Sequence, residues 1–248
     1  MTTTLSQSEP KRFFQIMAWV FVAIAFGGFI PTYWAKLMDG SFAGKPILHI
    51  HGILLYAWVI FYAVQVNFVA NRSIAQHRSW GMAGISLFTA LAISIVLSAI
   101  NTIHQAEPRG FGVQAAAFSI VTFSAVVLIS GFIILAIMNV HRPDWHSRLM
   151  TLSFVPLLQA PMARPFAVLM TPPGAVGPPP VFVTIPPAIV VDLLLIALLV
   201  FDRRTTGRFH PVTIMGSFAI IAVQLLCIPV STSPAWLATA NWIAGLAG

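Results

Sequence analysis

Seven long and almost uninterrupted apolar stretches, 13–34, 47–70, 81–104, 115–140, 149–171, 181–201 and 212–234, constrain this chain more than any other feature. Crossing about 30 Å of hydrocarbon takes about 20 apolar residues in a helix. Lipid offers no partners to free backbone groups, so the stretches are read as helices. They are too long and too uniformly apolar to be barrel strands. The sequence predicts an all-α fold, an integral membrane bundle of seven transmembrane helices forming a single membrane domain over 1–248.

Composition agrees. Apolar residues make up 58% of the chain and charged residues 8%. Soluble domains carry about 25% charged residues, too many for this composition to match. The formal charge of +7 reflects a shortage of acids. No Lys/Arg-rich run accompanies it, so no nucleic-acid partner is expected. The lone cysteine, Cys227, excludes an internal disulfide and a multi-cysteine metal site. The polar segment 1–12 precedes a first run too long for a signal-peptide core, so that run reads as an uncleaved helix.

Lys and Arg set the orientation. Lys11, Arg12, Arg72, Arg78, Arg142, Arg148, Arg203, Arg204 and Arg208 fall on one side, and only Lys36, Lys45 and Arg109 on the other. Nine against three places the N-terminus in the cytoplasm and the C-terminus outside. Trp34, Trp80, Trp145 and Trp236 lie near the expected membrane boundaries, where amphipathic rings prefer to sit. The uncharged stretch 235–248 either lies along the interface or packs on the bundle.

Proline is concentrated in one region. Pro156, Pro161 and Pro165 interrupt span five, and Pro186 and Pro187 enter span six. Each interior proline removes a backbone bond, which predicts kinks in helices five and six. Such breaks at membrane depth are tolerated where protein or a wet cavity covers them. A faint internal echo also runs through the chain. Asn71 to Met82 and Asn139 to Met150 share an Asn, a later His next to Ser or Arg, and a closing Met, both at hairpins on the basic side.

The histidines sort by face. His49, His51 and His104 lie on the outer side, and His77, His141, His146 and His210 on the inner side. Histidine groups at the two ends of a bundle are what a di-haem membrane cytochrome needs, with each iron held by imidazoles from facing helices. The competing reading is that imidazole simply sits well at headgroup level, with His77 and His210 as loop residues. Haem b is the cofactor considered, with His51, His104, His77, His146 and His210 as candidate ligands. His51 also opens a polar stripe on one face of span two, with Trp58, Tyr62 and Gln65. Ser94, Ser98 and Asn101 answer it from span three. Groups of this kind turn inward and bond across helices.

Arg164 and Asp192 lie inside spans five and six. Each costs about 2.5–3.5 kcal/mol at a helix centre, so a direct or water-bridged ion pair between them is expected, as a functional site or as a clamp. No span contains a Lys for retinal, and no metalloprotease, phosphate-loop or nucleophile-elbow motif occurs.

Several of these residues form a joint pattern. It runs through His49-Ile50-His51-Gly52 with Trp58, His77-Arg78 with Gly81, Trp145-His146 with Arg148-Leu149-Met150, then Arg164, Asp192 and His210-Pro211 with Thr213. It resembles a family of uncharacterised multi-pass bacterial inner-membrane proteins. The likeness covers 13–240 and implies a seven-helix inner-membrane protein without implying a reaction. A weaker similarity is to cytochrome b561-like membrane proteins, from which the histidine depths depart. Three functions stay open. They are a histidine-ligated haem or metal redox protein, a small-anion or proton-coupled transporter using Arg164 and Asp192, and a non-catalytic subunit or assembly factor. The bilayer is the expected partner, with a membrane complex or a homo-oligomer open.

Overall fold

The computed structural model describes residues 8–172 and 174–246. Among them are eight helices of twelve residues or more: α1 (Ser8–Gly28), α2 (Pro46–Ala70), α3 (Ile74–Ala106), α4 (Gly112–Met138), α5 (Pro143–Met170), α6 (Ile185–Thr206), α7 (Pro211–Ser231) and α8 (Pro234–Gly245). α1 continues through a π-helical turn, Ile30–Trp34, and a last α turn, Ala35–Met38. Seven of the helices are long and apolar enough to cross a membrane. The chain is a multi-pass integral membrane protein, and its outer surface carries large apolar side chains such as Trp19, Met82, Val127, Met215 and Phe218.

Proline marks where the helices begin. Pro46, Pro143, Pro211 and Pro234 are the first residues of α2, α5, α7 and α8, and Pro186 is the second of α6. Those positions have no N–H to contribute to the helix, so proline loses nothing there. Two side chains cap the starts. His210 Nδ1 accepts from Val212 N at 3.2 Å, and Ser233 Oγ accepts from Trp236 N at 3.2 Å. Connections on the Lys/Arg-rich face, here the basic face, are tight. α2 turns into α3 over 71–73, where Arg72 takes a left-handed φ of 62°. On the opposite face, the Ser41 hydroxyl and amide hold the exposed Asp39 carboxyl below its ordinary pKa.

α5 is the central helix. It packs on α1, α4, α6 and α7. Half of its apolar window is buried, against 22% for α1, although its mean hydropathy of 1.3 is below that of every other span. Its prolines lie within one continuous helix. Pro165 has no N–H, so the carbonyl of Pro161 has no helical donor. Gly28 of α1 packs directly on that carbonyl, in a space too small for a Cβ. The proline that weakens one helix thus creates the flat spot against which another docks.

α8 packs on the bundle. It lies against α3 and α4, with Trp236 Nε1 donating to Ala116 O at 2.9 Å and His104 Nε2 donating to Ala244 O at 3.1 Å.

Candidate functional site

At the basic face α3 and α5 run beyond the expected spans. α3 starts at Ile74 and α5 at Pro143, several residues before the apolar runs at 81 and 149. His77, His146 and Arg148 are therefore helical residues, and His77 is not the loop residue that hydropathy suggested. Polar side chains ended the apolar runs, yet the helices continue, and some of those side chains, Arg148 above all, turn into the protein.

Arg148 shows this best. Its Nε and Nη2 both donate to Asp202 Oδ1, at 2.8 and 2.6 Å, and its Nη1 donates to Asp144 O at 2.8 Å. Asp202 Oδ2 accepts from Thr213 Oγ1 at 2.5 Å and from His210 N at 3.2 Å. Arg148 is 5% exposed and Asp202 0%. This network ties α5, α6 and α7 together, and every charged atom in it has a partner, as a buried ion pair requires. Counting Arg148 as a loop charge missed it. The signal was present in the motif, since Arg148, His210 and Thr213 all converge on Asp202.

The expected pair of Arg164 and Asp192 does not form. Asp192 Oδ1 accepts from Gln224 Nε2 at 3.1 Å, while the Arg164 guanidinium lies 5.6 Å over the Phe29 ring. Among the described residues Asp202 is ion-paired with Arg148, and Asp144 takes a hydrogen bond from His210. Arg164 lies instead beside α1 and within electrostatic reach of His51.

The α2 stripe faces the core. Trp58, Tyr62 and Gln65 are all buried. Tyr62 lies tilted against Phe154 of α5 and Trp58 lies parallel to it, with centroids 4.4 and 6.2 Å away. The Thr151 hydroxyl spends its proton on Ser147 O, so Tyr62 OH is the donor in its 3.2 Å contact with Thr151 Oγ1. One turn nearer the basic face, both amide atoms of Gln65 are buried without a partner, and so is His77 Nδ1.

The histidines divide by what their ring nitrogens already do. His210 uses both, with Nδ1 accepting from Val212 N and Nε2 donating to Asp144 Oδ2 at 3.2 Å, so it has no lone pair for a metal. His104 is committed to α8. His51 Nδ1 meets Ser94 Oγ at 3.1 Å, and the Ser94 proton goes to Leu91 O, so His51 donates and its Nε2 is free. Ser94 and His104 are ten residues apart on α3, about 15 Å at 1.5 Å per residue, so His51 and His104 cannot share one ion. Only His77 and His146 come together. Their centroids are 6.1 Å apart with planes at 79°, and His146 Nδ1 donates to Ala136 O at 2.9 Å, leaving Nε2 free. They are the two histidines of the internal echo, which the bundle brings together edge to face. Among the described residues no three His, Cys, Asp or Glu side chains cluster around one point.

A narrow cavity also lies between α4, α5 and α7. It is lined by Ser124, Pro156, Gln159, Thr184, Gln224 and Cys227 and has room for about one water.

Comparison with protein-family models, curated proteins and solved structures finds no match. The resemblance drawn from the motifs is thus supported only as far as a seven-helix membrane bundle.

Proposed function

We propose that the chain is a membrane-embedded redox protein that holds one centre, the iron of haem b or a single transition-metal ion, between His77 and His146. The 6.1 Å separation of the two rings carries this reading. Metal–nitrogen bonds of about 2 Å on either side of one ion put imidazole centroids about 6 Å apart. The donor set suits the task. The hydrogen bond from His146 Nδ1 to Ala136 O fixes the tautomer that leaves Nε2 as ligand, the usual outer-shell arrangement of a metal-bound histidine. The unpartnered Gln65 amide and His77 Nδ1 are polar atoms that a bound group or its water would satisfy. Such a centre supplies a one-electron couple. The excess of Lys and Arg at this end supports placing it at the cytoplasmic face of a bacterial inner membrane.

The test is an absorption spectrum with metal analysis on protein purified in mild detergent from haem- and metal-replete cells. A Soret band, or about one metal ion per chain, is expected, lost in His77→Ala and His146→Ala and retained in His104→Ala and His210→Ala. A colourless, metal-free wild type overturns the reading.

The cavity favours a second reading, a proton-coupled transporter in which Asp192, bonded to Gln224 at the cavity lining, carries the proton. Proton uptake into proteoliposomes that survives Asp192→Asn ends it.

A further inference from the structure

Arg164 is a cation at membrane depth with no counter-charge. Among the described residues it makes no salt bridge, and no acidic side chain acts on it. Asp192 is held by Gln224. The titratable side chain within reach is His51, which is either neutral or positive and so cannot supply the missing charge. The contact with Phe29 lies over the ring face, which engages the charge of the guanidinium but accepts none of its N–H groups in line. The side chain is exposed on the helix surface and can be reached from the bilayer.

The surroundings are also irregular. α1 opens into the π turn Ile30–Trp34 where it meets α5. π turns inside helices frequently occur at functional sites. A guanidinium only donates. A donor-only cation without an acceptor calls for a ligand that is negative and rich in acceptor oxygens. Depth narrows the choice. Arg164 is six residues before the end of α5, about 9 Å along the axis, so its long side chain can extend toward the headgroup level. The anion abundant at that level is phosphate.

We propose that Arg164, beside the π turn of α1, binds a phosphate group at the membrane face opposite the His77–His146 pair, either a phospholipid headgroup or a free phosphate. A planar guanidinium with paired N–H groups matches two phosphate oxygens at once, and Phe29 beneath it holds the plane in place. This site shares no residue with the proposed redox centre and stands or falls separately from it.

The experiment titrates the full chain in mild detergent with phosphatidylglycerol and, separately, with inorganic phosphate, read by native mass spectrometry and by thermal unfolding. One phosphatidylglycerol per chain with a raised Tm, unaffected by inorganic phosphate, identifies a headgroup. Displacement of the lipid by inorganic phosphate, or phosphate binding alone, identifies the free anion. In either case Arg164→Gln weakens binding by about tenfold or more, Arg164→Lys weakens it less, and Arg204→Gln leaves it unchanged. Should Arg164→Gln fail to fold, phenylglyoxal modification of Arg164 in the wild type gives the answer, because bound ligand protects it. No binding of either compound, binding undiminished in Arg164→Gln, or no protection from phenylglyoxal overturns the proposal.

Discussion

Asp202 receives four hydrogen bonds, from two Arg148 nitrogens, the Thr213 hydroxyl and the His210 amide, and has no exposure of its own. Such a group tolerates the loss of one partner poorly, because the partner left behind keeps its charge in a dry site. Arg148→Met or Asp202→Asn alone is expected to cost about 3–5 kcal/mol, while the paired apolar replacement Arg148→Met with Asp202→Leu recovers much of the loss. Thermal unfolding of the three variants in one detergent checks it, and a double variant no more stable than either single one contradicts it. Gly28 has an equally local role. A methyl group there meets the Pro161 carbonyl, so Gly28→Ala is expected to destabilise by about 1–3 kcal/mol, and Gly27→Ala, with open space around its position, to be nearly neutral by the same measurement. At this scale the sequence was only partly legible. It marked Trp58, Tyr62 and Gln65 as an inward stripe because their spacing follows the helix period. It misplaced Arg148 and Asp202 because a polar residue at the end of an apolar run looks the same whether it faces water or the core.

Among the elements, α8 shows what a short uncharged helix can do once it has hydrogen bonds to make. Its two ends are fastened by Trp236 to Ala116 O and by His104 to Ala244 O. Replacing Trp236 with Phe keeps much of the apolar contact and removes the N–H, while Ala116 O keeps the Ser119 hydroxyl as a donor. A loss of about 0.5–1.5 kcal/mol is expected, with faster protease release of the segment after Ser233. Unchanged proteolysis would show that apolar packing alone holds α8. Composition left this helix undecided between the interface and the bundle, since hydropathy carries no direction. The starts of α2 and α7 are legible to within a residue, at 47 and 212, while α5 begins six residues before its apolar run at 149.

For the whole molecule, an odd number of crossings predicts that the two ends of the bundle's chain lie on opposite sides, and the nine-to-three distribution of Lys and Arg predicts which side is which. In a Cys227→Ala background, a membrane-impermeant maleimide added to intact cells is expected to label Ser41→Cys and to spare Thr206→Cys until the membrane is permeabilised. The reverse pattern would invert the molecule and move the histidine pair to the outer face. The number of crossings followed from hydrophobicity. Which histidines meet did not, because only the way α3 and α5 each pack on α4 decides that His77 meets His146 while His51 and His104 stay apart.

The position of α5 has a consequence for how the protein is made. The segment that ends up most enclosed is also the one whose own oiliness argues least for leaving the translocon. Its proline-rich second half and its Arg148 gain their compensation only once α1, α6 and α7 are beside it. The fifth span is therefore expected to complete its insertion only when the sixth and seventh emerge from the ribosome to complete its surroundings.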